Sequence, residues 1–214
     1  MSQKKLTLDF YHDVVCGWCF NLSPRLRKLQ SEYNFEIRHH TFILQEDRNE
    51  MIGAFGSMAQ AKETILGHWA HCKKAADDPS LVNITGMRKA SFEYPYGLPG
   101  ALACKAAEAQ GGQAAHWDIF DAIQSAHMTH ARNIADFDVL IDCAKSVGLD
   151  VKQFRKDLKD EDTRLQVEAD RHKGRMLNVR SVPTVIVEET GHRIVNSPIE
   201  MLRKQFDEVL RLAA

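Results

Sequence analysis

What this chain has little of narrows its function first. It has no surplus of either charge: 28 Lys and Arg stand against 29 Asp and Glu, a formal net charge of −1. That removes the electrostatic case for a nucleic acid or an anionic membrane as partner. It has no long apolar run either. The stretch LTLDFYHDVV near its start is interrupted by Asp9, His12 and Asp13, so it makes neither a signal-peptide core nor a membrane span, and a cytoplasmic location is expected. Cysteine is sparse and odd in number: Cys16, Cys19, Cys72, Cys104 and Cys143. A secreted scaffold stapled by disulfides would carry a denser, even-numbered set. Only the first two cysteines are close in sequence, and in a reducing compartment a lone C-x-x-C points to catalysis or metal binding rather than to a structural bridge.

What is present is an ordinary globular composition, 44% hydrophobic and 27% charged over 214 residues, enough for one large domain or for one domain carrying an insertion. KLTLDFYHDVV reads as a buried strand. CFNLSPRLRKLQSEY places Leu22, Leu26 and Leu29 at helical spacing, with Arg25, Arg27 and Lys28 on the other faces. Pro24 is expected to kink or restart this helix. NFEIRHHTFIL alternates like a second strand, and strand–helix–strand in about forty residues makes a parallel βαβ unit. No strand-like run follows until late in the chain. GALACKAAEAQGG stops at a glycine pair, AAHWDIFDAIQSAHMTHA sets Trp117, Phe120 and Ile123/Gln124 at helical steps, and ADFDVLIDCAKSVG runs from an acidic cap to Gly148. VRSVPTVIVEETGHRIV then reads as an antiparallel hairpin turning at Thr190 and Gly191. SPIE announces a last helix, with Ser197, Pro198 and Glu200 in capping-box positions. The expected fold is α/β, a thioredoxin fold with an inserted all-helical domain: residues 1–48 as its first part, 49–165 as the helical insertion and 166–214 as its second part.

In that arrangement Cys16 stands at the N-terminus of the first helix, where unsatisfied N–H groups and the helix dipole favour a thiolate. Cysteines so placed in C-x-x-C motifs have pKa values lowered to roughly 3.5–7.5. A thiolate attacks a disulfide sulfur, and a second thiol three residues on, brought to the same helix face, resolves the mixed disulfide. The alternatives for the pair are two buried free thiols or a zinc half-site, and no second C-x-x-C or H-x-x-H lies at finger-like spacing to complete the latter. SVPT, with Pro183 just before a TVIV strand, is the second element. Proline opening a strand is most simply an edge or turn position.

Three stretches, DVVCGWC, ARNIADFDVLIDCAKSVGLD and VRSVPTVIV, resemble the DsbA family of thiol–disulfide oxidoreductases, and within it the cytoplasmic FrnE-like branch. That branch is distantly related to kappa-class glutathione transferases and 2-hydroxychromene-2-carboxylate isomerases. The likeness covers about residues 5 to 210. It implies a DsbA-like fold, disulfide exchange with Cys16 as nucleophile and Cys19 as resolving thiol, and a cis-proline at Pro183 that leaves the Val182 backbone free to pair with substrate. It also gives Asp13 a family position; Trp18, set between the two cysteines, reads as a substrate-contact aromatic with a core residue as the plain alternative, and Gly17 beside it is taken as a substrate contact too. Two departures stand out: proline is usual where this chain has Gly17, and DsbA has a histidine where this chain has Trp18. An indole cannot replace that histidine's charge, so a less oxidising couple is expected. No dissociable cofactor is implied. Glutathione, a thioredoxin system or the substrate itself would supply electrons, and the partners would be protein or small-molecule thiols and disulfides. Oligomeric state is left open, a dimer included. The rival functions are a glutathione-dependent isomerase or transferase, which Cys19 argues against, and a non-catalytic adaptor.

Other residues carry weaker signals. His12 and Asp13 stand close enough before Cys16 for either to move a proton for the resolving thiol; the plain alternative for His12 is a strand end or solvent. His68, His71 and Cys72 fall at i, i+3 and i+4, nominally one helix face, but three such ligands on one short helix do not complete a site, and no metal is assigned. His127 and His130 are treated alike, with substrate contact as their functional alternative. Cys72, Cys104 and Cys143 read as small core residues.

Overall fold

The computed structural model describes residues 5–213. Its frame is a four-stranded sheet in the order β2-β1-β3-β4. β1 (Leu6–His12) pairs in parallel with β2 (Phe35–Thr41), from Leu6 opposite Phe35 to His12 opposite Thr41. β3 (Thr184–Val187) runs antiparallel to β1, and β4 (Arg193–Ile194) antiparallel to β3 across a turn in which Gly191 takes a φ of +69°. A side chain would be strained there. Strand alternation sends Leu6, Leu8, Phe10 and His12 to one face of β1 and Thr7, Asp9 and Tyr11 to the other.

α1 (Gly17–Gln30) links β1 to β2 and buries Leu22, Leu26 and Leu29 completely. It is one helix from end to end with Pro24 inside it; the hydrogen bond that proline forfeits is outweighed by the buried leucine stripe. Arg25, expected on an outward face, is buried instead. Its guanidinium donates to Asp77, to the Ala75 and Ser197 carbonyls and to Asn196, so a charge is tolerated inside because every donor direction is occupied.

Between β2 and β3 the chain is helical: α2 (Arg48–Phe55), α3 (Met58–Ala75), α4 (Ile84–Lys89), α5 (Leu98–Gln124), α6 (Phe137–Ser146), α7 (Val151–Asp157) and α8 (Glu161–Met176). The Gly111–Gly112 pair breaks the dihedrals of α5 in mid-run, with Gly112 at φ +64°. Beyond the break, Gln113 accepts from the His39 N–H on the free edge of β2, and Asp170 of α8 accepts from the Thr41 N–H. Those outward amides would otherwise be a template for another strand. α9 (Ile199–Ala213) packs Leu202, Phe206 and Val209 into the core. Its expected capping box does not form, because Ser197 Oγ donates to the Val195 carbonyl and Glu200 pairs with Arg203. Among the described residues no helix is long and apolar enough to cross a membrane.

Candidate functional site

β1 ends in a short loop that feeds α1, and the first turn of α1 carries both cysteines. Cys16 is its N-cap, with extended backbone, and its Sγ accepts the Cys19 N–H at 3.2 Å. One of the unsatisfied amides that every helix start presents is therefore aimed at sulfur. Cys19 lies one turn further in and is fully buried. Burial first, then its contact with Cys16, pushes its thiol well above the ordinary range. Both thiols are free.

The β3 strand is delivered alongside by its register with β1, where Thr184 pairs with Tyr11. This sets the cis Val182–Pro183 peptide beside the dithiol, and Cys16 Sγ donates to the Val182 carbonyl at 3.6 Å. Gly17, Trp18 and Val182 join Cys16 in lining a cavity of about 310 Å³, closed on its other walls by Leu44, Phe55, Ile65, His68, Trp69, Cys72 and Tyr94. Trp18 is 40% exposed, a large indole left half in solvent at the cavity mouth. A larger groove of about 460 Å³ runs past Phe20, Pro24, Arg27 and Leu81, but neither cysteine of the pair opens into it.

Asp13 is 2% exposed. Its carboxylate accepts from the Leu44 N–H at 2.8 Å and the Val15 N–H at 3.3 Å, and burial nevertheless raises its pKa to about 7. The N-terminus of α5 sits directly on it: a Cβ on Gly97 would meet Asp13 Oδ2 at 2.6 Å, and one on Gly100 would meet Val14 Cγ2 at 2.3 Å. Only glycines let the two backbones approach this closely. The Asp13 charge also contributes to the raised Cys19 pKa, which places the carboxyl within electrostatic reach of the Cys19 thiol.

His12 is the last residue of β1, as one reading expected, but it does not meet solvent. It is 1% exposed, with its ring against Phe120 and its Nε2 3.2 Å from His39 Nδ1. The i, i+3, i+4 trio on α3 separates: His68 and Cys72 line the cavity, His71 faces solvent, and Trp69 fills the core between them. His127 is buried and bonded to the Tyr94 hydroxyl at 2.9 Å, whereas His130 is exposed. Cys104 and Cys143 are buried small residues. Cys72 is buried too, but it also faces the dithiol: a Cβ on Gly17 would come within 3.1 Å of its Sγ, and burial together with the nearby Cys16 pushes its pKa to about 12.

Sequence reasoning missed two supports of this site. Gln124, visible only as a helical-face position, donates through Nε2 to the Cys16 carbonyl at 2.9 Å and holds the loop from inside. Immediately after it a π-helical turn, Ser125–Thr129, brings Met128 Cε to 3.2 Å from the same virtual Gly17 Cβ. Such turns recur at functional sites, but no sequence signal announces this one.

A family model described as thioredoxin matches residues 10–200. The chain belongs to the thioredoxin family. It is 28% identical to the ClpXP adapter protein SpxH of Halalkalibacterium halodurans over an alignment of 200 residues that covers 90% of this chain and 63% of that protein. The chain thus spans less than two thirds of the length of this relative. The fold is shared with a putative protein disulfide isomerase from Nitrosomonas europaea (TM-score 0.79, 18% identity, 99% of this chain and 100% of that one). It is also shared with the cytosolic disulfide reductase DsbM from Pseudomonas aeruginosa (TM-score 0.75, 24% identity, 97% and 100%). The expected DsbA-like thioredoxin fold, helices inserted between the strands, is the fold found.

Proposed function

We propose that this chain is a thiol–disulfide oxidoreductase of the DsbA type, with Cys16 as nucleophile and Cys19 as resolving thiol, acting in a reducing, cytoplasmic setting. One observation carries the reading: Cys16 Sγ caps α1, takes the Cys19 N–H, and stands at the wall of a cavity beside the Val182 carbonyl. The Cys16 thiolate attacks a substrate disulfide, forming one S–S bond and releasing one substrate thiolate. The Cys19 thiol gives its proton to the Asp13 carboxylate and attacks Cys16 Sγ, which forms the Cys16–Cys19 disulfide and releases the second substrate thiolate. The substrate gains two electrons and the protein loses two, to be restored by glutathione or a thioredoxin-type donor. An acid with a pKa near 7 suits that transfer, because it is partly ionised at working pH. Leu44, Phe55 and Ile65 make the cavity fit an apolar substrate side chain, while the Val182 backbone and Trp18 face whatever docks at its mouth.

The relative's name favours a second reading, a protein-binding adaptor that uses the same face without exchanging disulfides. Equilibration in glutathione buffers, with Trp18 fluorescence and thiol trapping read together, separates the two. A reversible two-electron transition lost in Cys16→Ser supports the oxidoreductase, and a midpoint near about −270 mV marks a reductase while one near about −180 mV marks an oxidant or isomerase. No transition, with partner binding intact in Cys16→Ser, supports the adaptor.

A further inference from the structure

Away from the dithiol, three imidazoles converge in the core from three elements. His12 comes from the end of β1, His39 from β2 and His116 from the second half of α5, and each is at most 1% exposed. Their ring centroids form a nearly equilateral triangle, 5.2, 5.2 and 5.1 Å on a side. One nitrogen from each ring can be chosen so that all three lie within 4.8 Å of one another, and His12 Nε2 stands 3.2 Å from His39 Nδ1. Tetrahedral bonds of roughly 2.0–2.1 Å place ligand nitrogens about 3.3 Å apart and ring centroids about 5 Å apart.

We propose that His12, His39 and His116 bind one late first-row transition-metal ion of the Zn²⁺ type, which fastens α5 to β1 and β2 behind the dithiol. The hydrogen bonding supports this. Among the described residues His116 Nε2 is buried without a hydrogen-bond partner, a state that buried polar atoms rarely show. Among Phe10, Trp117 and Phe120, apolar side chains would fill the same space at no polar cost. His116 has the arrangement expected of a ligand: its Nδ1 is bonded to Glu108 at 2.7 Å, the carboxylate–imidazole pairing that fixes a metal-binding tautomer. Burial keeps all three rings toward the neutral form that donates a lone pair. Imidazole donors suit zinc, cobalt, nickel and copper rather than calcium or magnesium, and three protein ligands leave one coordination position. Glu108 is itself held by Lys105 at 2.7 Å, so the outer carboxylate is oriented as well as present.

The full chain carrying Cys16→Ser and Cys19→Ser, which removes competition from the dithiol, would be refolded from urea with Zn²⁺ or Co²⁺ and freed of loose metal on a chelating resin. The expected result is about one ion per chain in a shell of three nitrogens at about 2.0–2.1 Å without sulfur. His39→Gln or His116→Gln should lower retention at least tenfold. Glu108→Gln keeps all three imidazoles and should weaken affinity about 10- to 100-fold. Refolded native protein that retains less than a tenth of an equivalent, a sulfur-containing shell, or retention unchanged in His116→Gln would each overturn the site. Should the histidine variants fail to fold, the metal shell of the parent and the Glu108→Gln affinity decide it.

Discussion

His39 and His40 are neighbours in one strand, and the two sides of the sheet treat them in opposite ways. His40 points to the α8 face, where Asp170 takes its Nδ1 at 3.0 Å and Asp9 its Nε2 at 2.7 Å. Burial opposes its charge, but those carboxylates outweigh burial and raise its pKa. His39 points to the α5 face among other imidazoles, with no anion on it, and burial drives its pKa well down. The carboxylates repeat the contrast. Asp9, with His40 and Lys173 beside it, is held below the usual range although burial works against that, whereas Asp13 has only backbone N–H partners and rises to about 7. Depth of burial is therefore a poor guide to ionisation here. For these two pairs the opposite charges facing the group decide it; a single carboxylate is not enough for His116, which Glu108 touches and burial still holds down. Asp9, His40 and Asp170 store paired charge for stability, while His39 stays neutral and Asp13 is poised, so that a proton can be moved there near pH 7.

The largest way to break this contrast is to empty the charged face. Asp170→Asn leaves His40 and Lys105 short of an anion and should cost about 3–5 kcal/mol in urea unfolding at pH 7. A loss below about 1 kcal/mol would mean the network is solvated rather than paired. Next comes the opposite change on the neutral face. Because folding raises the Asp13 pKa from 3.8 to about 7, the ionised form is disfavoured in the native state, and stability present at pH 4 is lost as pH climbs toward 7. Asp13→Asn should thus stabilise by about 2–4 kcal/mol at pH 8 and by little at pH 4, while slowing the resolving step of disulfide exchange. Denaturation of both proteins across that range checks it, and parallel curves would contradict it.

A smaller test sharpens the histidine pair. The raised pKa of His40 means its stabilisation is complete below its unfolded value of 6.5 and declines as pH rises through the folded one. His40→Gln should therefore cost about 2 kcal/mol near pH 6 and distinctly less at pH 9. Equal losses at both would place His40 among uncharged core residues. The smallest effect is steric. Gly17→Ala crowds Cys72 Sγ and Met128 and should cost about 1 kcal/mol, part of it recovered when Cys72→Ala is combined with it. The cycle should show about 0.5 kcal/mol of coupling or more, and strict additivity would separate the two positions.

Much of the molecule is legible in its sequence. The β1–α1–β2 unit, the break at Gly111–Gly112, the hairpin turn at Gly191 and the placement of both cysteines on the first turn of α1 follow from spacing and from residues whose backbone preferences are strong. These are local facts, and local physics writes them into sequence. Arg25 misled because an arginine at an apparently outward position is normally solvated, and its partners at 75–77 and 196–197 lie far away in the chain. Cys72 likewise reads as a core residue until α3 is folded against α1, where the Asn21 side chain donates to its carbonyl.

By itself, then, the sequence determined which residues can act: a C-x-x-C at a helix start, an aspartate just before it, and a proline that opens a late strand. Only the tertiary structure decided what each can do. It buried Asp13 under Gly97 at the start of α5, set the Val182 carbonyl against Cys16, turned Cys72 toward the same cavity, and gathered His12, His39 and His116 from positions more than a hundred residues apart. The physical reason is the same in each case. Hydrogen bonds along a helix or turn depend on near neighbours, but burial and the charge facing a group depend on which distant element packs there.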